Sequence, residues 1–256
     1  MRRIHLITPE DLVPSILQAH FYPDLNHAAF WSPSWDPGFY IALAEAGFIS
    51  ISTERPDLGP ILLTELQEEY AVLDWSNLHA SRHLDKLVRS GRLAEERVEL
   101  RIAEDPETVI RRLLDHHRGH TWLTEPYVDL LYALPTENTP GFTLHGIELW
   151  SRKRDLLIAG ELGYTIGRTY TSLSGFHTRD TPESRAWRRF GTLQMWLLAS
   201  RLRDRGFAFW NLGHPCHAYK KALGAKILPR AVFLTRWLKA QASRVGRSLR
   251  DSASDS

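Results

Sequence analysis

The decisive stretch reads Gly146-Ile147-Glu148-Leu149-Trp150, then Ile158-Ala159-Gly160-Glu161-Leu162-Gly163-Tyr164, then Thr169-Tyr170-Thr171-Ser172-Leu173-Ser174-Gly175-Phe176. Each segment is rich in strand-forming residues and a short turn separates it from the next, so we predict three consecutive strands. A helix is predicted over 185–205, because its apolar residues recur with the helical period. A fourth strand at 206–213 and a short helix follow. This order predicts an α+β fold built around a central sheet.

The domain organisation follows from working outward. Residues 1–76 are predicted to form a smaller α+β domain, because short strand and helix patterns alternate there. The larger domain is placed at 77–240. Residues 241–256 are rich in Ser, Arg and Asp and have no apolar face, so they are predicted to be a disordered tail.

Local signals define elements within the predicted small domain. Asp36-Pro37 is expected to open a helix, since proline suits the first helical turn. A strand is predicted at 48–52. The segments 61–66 and 70–75 are two further strand patterns, and we predict that they pair as a hairpin.

The composition favours a folded chain in a reducing compartment. The 256 residues are 43% hydrophobic, which is enough for a full core, and the formal net charge is only +2. The single cysteine, Cys216, allows no disulfide within the chain. We find no leader-like segment and no apolar run of about 18 residues, so we expect a cytoplasmic protein without membrane contact. We expect a monomer, although the sequence does not fix the oligomeric state.

Metal and nucleophile signals are weak. His79 and His83 have the spacing of zinc-binding helices, but no glutamate follows His79. The histidines of 115–120 suit a helix C-terminus, and the tight spacing within 214–217 disfavours a tetrahedral zinc centre. Cys216 is conceivable as a thiolate nucleophile, although neighbours in sequence seldom align as its base. We therefore predict no metal site and no cofactor.

Basic and aromatic residues carry the remaining chemical signal. Basic residues concentrate at 82–92, 185–189 and 201–205, which suits either solvated helix faces or contacts with RNA phosphates. The nine tryptophans exceed the needs of a core of this size, so some are candidates for stacking on a nucleobase. Tyr170 and Phe176 flank a strand end rich in Ser, Thr and Gly. A floor of small residues between aromatic walls would form a pocket.

Five short motifs occur in order along the chain. They are Phe30-Trp31-Ser32-Pro33, Leu78-His79-Ala80-Ser81-Arg82, His120-Thr121-Trp122-Leu123-Thr124, His145-Gly146-Ile147-Glu148-Leu149-Trp150, and Leu223-Gly224-Ala225 with Pro229-Arg230. Together they resemble the leucyl/phenylalanyl-tRNA–protein transferase family, over roughly residues 30–234. The resemblance implies a GNAT-like acyltransferase fold for the larger domain.

The resemblance also implies an activity and its partners. Members of the family transfer Leu or Phe from tRNA to the N-terminal α-amine of a protein, which marks that protein for degradation. The implied partners are aminoacyl-tRNA and an acceptor protein or peptide. Trp31 and Trp122 would line the site for the terminal adenosine, and Tyr170 and Phe176 would shape the amino-acid pocket. Ser172 and Ser174 are further predicted substrate contacts. The predicted tRNA contacts are Arg82, Lys86, Arg89 and Lys220.

Two positions depart from the family pattern. Asn211 stands where the family has aspartate, and residues 172–176 stand where it has Gly-Glu-Ser-Met-Phe, so the acceptor is left open. An aminoacyl ester is already activated, and alignment alone contributes about 7–11 kcal/mol in well-oriented pairs. We predict that Asn211 accepts a hydrogen bond from the incoming amine. Backbone N–H groups near Ser172 would polarise the ester carbonyl.

Three alternatives remain open. The same donor would serve a small-molecule or specialised peptide acceptor. An acyl-CoA N-acetyltransferase would share the fold, but it usually grips pyrophosphate with a glycine-rich turn, which 179–185 lacks. A non-catalytic RNA-binding module would explain the lost acidic groups.

Overall fold

The structure is a computed structural model that describes residues 4–118, 122–135, 141–178, 187–243 and 249. Its helices are α1 (Pro14–Ile16), α2 (Pro37–Glu45), α3 (Arg82–Arg89), α4 (Arg92–Glu95), α5 (Glu107–His116), α6 (Glu125–Ala133), α7 (Phe190–Asp204), α8 (Ala218–Leu223) and α9 (Arg230–Gln241). Its strands are β1 (His5–Leu6), β2 (Ala29–Ser32), β3 (Ile49–Arg55), β4 (Gly59–Glu65), β5 (Glu69–Leu73), β6 (Val98–Ala103), β7 (Phe142–Ser151), β8 (Leu156–Ile166), β9 (Thr169–His177), β10 (Phe209–Gly213) and β11 (Lys226–Pro229).

A four-stranded sheet lies in the first part of the chain, in the order β1-β2-β4-β3. β3 and β4 form its antiparallel hairpin, and β2 pairs with the other edge of β4. The predicted start of α2 is confirmed. The Asp36 carboxylate accepts a hydrogen bond from the backbone N–H of Phe39 at 2.7 Å, with Pro37 in the first turn.

A seven-stranded sheet dominates the rest of the molecule, in the order β11-β5-β10-β9-β8-β7-β6. β9 and β10 run parallel, and α7 is the crossover that a parallel pair requires. α7 packs on one face, where Leu198 and Leu202 meet Trp210. α5 and α9 pack on the other face, where Leu113 and Phe233 belong to the main core. Because helices cover both faces, β7 and β8 are buried along nearly their whole length.

The predicted hairpin of 61–66 with 70–75 is wrong. β4 turns back onto β3, whereas β5 lies in the large sheet between β10 and β11. Residues 70–73 are buried on both faces, which requires an interior strand, and the strand pattern by itself does not name a partner. The predicted α+β class is confirmed, and the parallel pair within the mixed sheet has the GNAT-like arrangement. The division at residue 76 stays a prediction.

Two predicted segments lie partly outside the described residues. The helix predicted over 185–205 is observed as α7, Phe190–Asp204, and residues 179–186 lie outside the described ranges. The tail predicted over 241–256 also falls largely outside them, and α9 ends at Gln241.

Arg230 joins α9 to the segment around 21–24 and to the link between β4 and β5. Its guanidinium is only 1% exposed and donates hydrogen bonds to four backbone carbonyls. The acceptors are Gln67 O at 2.9 Å, Phe21 O at 3.2 Å, Asp24 O at 2.5 Å and Leu66 O. The planar guanidinium carries enough donors to satisfy all four carbonyls at once, which no other side chain does.

The end of α8 packs closely against the backbone at Asn77, and only glycine fits at position 224. Gly224 has φ +110°, and a Cβ there would lie 1.8 Å from the carbonyl oxygen of Asn77. Gly206 follows α7 with φ +81° and has nothing within 4 Å of the same position. We expect Gly206→Ala to cost about 1–2 kcal/mol, the left-handed strain alone. Gly224→Ala adds a clash with backbone, so its midpoint in urea unfolding should fall several times further. Equal losses in the two variants would contradict the close packing.

Candidate functional site

A cavity of about 630 Å³ opens where β9 and β10 separate. The two parallel strands pair only where 169–171 meets 209–211. Beyond that point, residues 172–177 of β9 line one side and Leu212 of β10 the other. Since β10 no longer pairs with β9 there, backbone groups on that edge of β9 are open to the cavity.

A bulge in β9 shapes the floor of this cavity. Leu162 of β8 pairs with Ser174 and Gly163 pairs with Ser172, so Leu173 is an extra residue in β9. A bulge bends its strand and redirects the side chains around it. As a result, Ser172, Leu173 and Ser174 all line the cavity.

Glu161 is the carboxylate of the site. It comes from β8, is 3% exposed and lines the cavity. Its Oε1 accepts hydrogen bonds from Ser172 Oγ at 2.5 Å and from Tyr170 OH at 3.1 Å. Trp210 Nε1 donates to the same Ser172 Oγ at 2.8 Å, which directs the hydroxyl proton of Ser172 towards Glu161.

Burial raises the pKa of Glu161 from its ordinary value of 4.5 to about 7. Desolvation is the largest cause, and hydrogen bonds from Ser172 and Tyr170 and the positive charge of Lys220 offset part of it. A carboxyl with such a pKa both accepts and returns a proton near neutral pH, which suits acid–base chemistry.

Aromatic and imidazole side chains form the walls. Trp122 and Phe176 line the cavity. The aromatic walls predicted from the sequence were Tyr170 and Phe176, and the contact of either ring with substrate stays a prediction. The ring of Trp122 lies 5.5 Å from that of Tyr127. His117 Nε2 lies 3.1 Å from Ser174 Oγ, within hydrogen-bonding distance. Arg112 stacks over Phe176 at 5.6 Å, so a cation stands beside the pocket wall.

Lys220 is not where a surface phosphate contact would be. It is 6% exposed, and its Nζ donates to the carbonyls of Leu212 at 2.5 Å and His214 at 2.7 Å. Burial lowers the pKa of Lys220. The ammonium therefore holds the 212–217 loop against α8. Its predicted contact with tRNA stays a prediction that this placement does not favour.

Asn211 and Tyr170 lie beneath the site rather than in it. Asn211 is 1% exposed; its Oδ1 accepts from Gly213 N at 2.9 Å and its Nδ2 donates to Thr171 Oγ1 at 3.3 Å. Tyr170 is fully buried and reaches the cavity only through Glu161. Neither residue lines the cavity. The predicted contact of Asn211 with the amine stays a prediction, and the buried side chain does not reach the cavity here.

Other predicted residues lie away from the cavity. Trp31 is in β2 of the small sheet, under the guanidinium of Arg55 at 5.2 Å. Arg82, Lys86 and Arg89 are exposed on α3. Ser81 caps α3, since its hydroxyl accepts from Leu84 N at 3.3 Å. The contacts of these residues with tRNA stay predictions.

Sequence reasoning missed Glu161, His117 and Gln194. Glu161 was included in a predicted strand without a role, and its signal was a lone acid inside an otherwise apolar run. Gln194 is 3% exposed on α7, lines the cavity and favours the ionised form of Glu161. Its Nε2 makes no hydrogen bond to any described residue.

The described residues contain no group of three or more His, Cys, Asp or Glu side chains placed to hold a metal ion. His79 precedes α3 and His83 lies within it, so the two do not share a helix face. In the described ranges no helix has the length and apolar character needed to cross a bilayer.

The sequence model of the family described as leucyl/phenylalanyl-tRNA protein transferase matches residues 72–238. This span is more than half of the chain and includes every residue of the cavity lining. The chain therefore belongs to this family. Four of the five motifs lie within the matched span, whereas Phe30-Trp31-Ser32-Pro33 lies before it. At this level the chain is an aminoacyl-tRNA-dependent transferase.

Solved structures give more distant similarities. FemX is 12% identical, with 80% of this chain and 70% of that chain covered, at a TM-score of 0.46. L-PGS from Bacillus licheniformis is 13% identical, with 87% of this chain and 74% of that chain covered, at a TM-score of 0.40. The C-terminal domain (DUF2156) of a putative lysylphosphatidylglycerol synthetase from Agrobacterium fabrum is 14% identical at 0.37. In that comparison 82% of this chain is covered, and the match spans 59% of the Agrobacterium chain. The search of curated proteins found no match.

Glu161 should make stability depend on pH. The unfolded carboxyl ionises near its ordinary pKa, whereas the folded one ionises only near 7, so folding binds protons between these values. Stability contributed by the protonated form is therefore lost as the pH rises towards 7, by up to about 3 kcal/mol. Glu161→Gln removes this cost. The difference in melting temperature between Glu161→Gln and wild type should become more favourable to the variant from pH 5 to pH 8. A difference that does not change with pH would contradict the raised pKa.

Proposed function

We propose that this protein transfers leucine or phenylalanine from its aminoacyl-tRNA to the N-terminal α-amine of an acceptor protein, forming a peptide bond. Membership of the transferase family supports the aminoacyl-tRNA donor. The cavity between β9 and β10 supports the place of reaction. The amino acid and the acceptor are the parts that the proposal adds.

The observation that carries the proposal is the opening of the sheet beside the bulge at Leu173. Its volume, about 630 Å³, is within the usual range of small-ligand pockets, and an aminoacyl group with part of the terminal adenosine needs such a space. The edge of β9 offers backbone N–H groups that favour charge on the ester carbonyl as it is attacked. Phe176 and Trp122 provide apolar surface for the side chain of the amino acid or for the base.

The donor chemistry requires alignment more than activation. An aminoacyl ester is already reactive, and a free α-amine has an ordinary pKa of about 7.7–8.0, so part of it is unprotonated at neutral pH. A rigid cleft that holds both groups contributes through orientation. The cleft walls here are sheet and helix, which keep their positions better than loops do.

The tRNA body is proposed to lie along the surface that carries α3. Arg82, Lys86 and Arg89 are exposed there, and Leu84 of the same helix packs with Trp187 and Phe190 near the start of α7. The start of α7 contributes Arg189 to the cavity lining. Basic residues therefore extend from α3 towards the cleft, as a phosphate backbone requires.

The function is tested with labelled leucyl- or phenylalanyl-tRNA and a panel of peptides that differ in their first residue. Transfer to peptide α-amines, abolished by N-acetylation of the peptide, is the expected result. Transfer only to small amines would replace the protein acceptor in the proposal. Retention of tRNA without transfer would favour an RNA-binding module, and turnover of acetyl-CoA an N-acetyltransferase.

Trp122 and Trp31 give a matched pair for the donor site. Trp122 lines the cavity and Trp31 does not, although both were predicted to hold the terminal adenosine. Stacking on a base contributes about 1–3 kcal/mol, so Trp122→Ala should raise the KM for aminoacyl-tRNA roughly 5- to 150-fold. Trp31→Ala should change this KM less than about twofold, because Trp31 does not line the cavity and no stacking contact with the base is lost. Thermal unfolding of both variants controls for stability. An equal rise in both would place Trp31 in the site as well.

A further inference from the structure

We propose that Glu161 is the base of the transfer reaction: it accepts the proton of the attacking amine and returns it to the leaving ribose oxygen. This rests on the proposed function, since it needs an amine acceptor and an aminoacyl ester. The carboxylate comes from β8 and reaches the cavity beside the bulge of β9.

The two carboxylate oxygens of Glu161 have different surroundings. Ser172 and Tyr170 both donate to Oε1, which fixes the orientation of the carboxylate. The side-chain amide of Gln194 also favours the ionised form of Glu161, and Oε2 carries neither of the bonds from Ser172 and Tyr170. That oxygen is therefore the one available to a proton from substrate. Ser172 and Tyr170 act through Glu161 and are positioning residues.

Tyr170, Tyr219 and Lys220 are poor alternatives to Glu161 as base. Lys220 and Tyr219 from α8 both interact electrostatically with it, and Tyr170 faces it from β9. Burial raises the pKa of Tyr170 and Tyr219, so both stay protonated near neutral pH. The Lys220 ammonium is engaged with two carbonyls. The remaining titratable groups that line the cavity are His116, His117, His177, His217 and Arg189.

The proton balance is complete without another reactant. The amine nitrogen forms a bond to the ester carbonyl carbon and becomes positively charged. Glu161 takes one proton from that nitrogen and becomes neutral. As the bond from carbon to the ribose oxygen breaks, the neutral carboxyl gives its proton to that oxygen. The products are a peptide bond and a free ribose hydroxyl, and Glu161 is ionised again.

A structural role is the alternative, and Glu148 provides the comparison. Glu148 is also buried, at 4% exposed, on the neighbouring strand β7. It pairs with Gly160, one residue before Glu161, so its side chain lies on the other face of the sheet. Its Oε2 accepts a hydrogen bond from Trp150 at 2.8 Å, and it does not line the cavity.

The experiment compares Glu161→Gln with Glu148→Gln, using leucyl- or phenylalanyl-tRNA and a saturating acceptor peptide. At pH 7 we expect Glu161→Gln to lower kcat about 100-fold or more, the usual range for general acid–base catalysis, with a KM for aminoacyl-tRNA within about threefold of wild type. Glu148→Gln should keep kcat within about threefold. The ratio of wild-type to Glu161→Gln kcat should rise with pH through about 7 and then level, because only the ionised carboxylate is a base.

Ser172→Ala supplies a second measurement that does not remove the acid. The Ser172 hydrogen bond lowers the pKa of Glu161, so its loss should move the inflection of the pH–rate profile to higher pH. An unchanged kcat in Glu161→Gln, a ratio that does not vary with pH, or an unmoved inflection in Ser172→Ala would overturn the role. Failure of wild type to transfer to any amine would instead overturn the proposed function.

Discussion

The buried guanidinium of Arg230 is the contact on which the arrangement of the two sheets depends. It gathers carbonyls from one early segment, at Phe21 and Asp24, and from the link between β4 and β5, and it does so from the first residue of α9. A buried cation is tolerated only when its donors are used. Each donor used here binds one of these segments, so the position of β5, and with it the order of the large sheet, is tied to the C-terminal helix. The Pro229-Arg230 motif has its physical reason in this contact.

The site follows from how the large sheet fails to stay paired. β10 pairs with β9 for three residues and then leaves it, and the bulge at Leu173 turns the end of β9 in the same region. Two irregularities at one place expose backbone groups, seat two serines and bring a carboxylate from the next strand to the surface of a cleft. A regular sheet with this sequence would bury all of them. The cleft and the groups that line it thus result from irregular strand pairing rather than from any single sequence motif.

Much of the fold could be predicted from local patterns. The strands at 146–176, the helix at α7 and the cap at Asp36 are visible as alternation, period and capping residues. Five motifs were enough to indicate the family, which the match over 72–238 confirms. The partner of β5 could not be predicted, because a local strand pattern marks a strand without naming its neighbour in the sheet. The environment of Glu161 was also hidden, since its hydrogen-bond donors and the burial that sets its pKa come from three other elements.

The place of β5 has a consequence for how this chain is made. β5 ends at Leu73, yet its two neighbours in the sheet are β10 and β11, which are more than 130 residues further along. During synthesis β5 therefore stays unpaired until residues 209–229 have been made. Contacts so distant in sequence slow folding and leave a sticky segment exposed in the meantime. Shielding of β5 until its two partner strands are available would lower that risk.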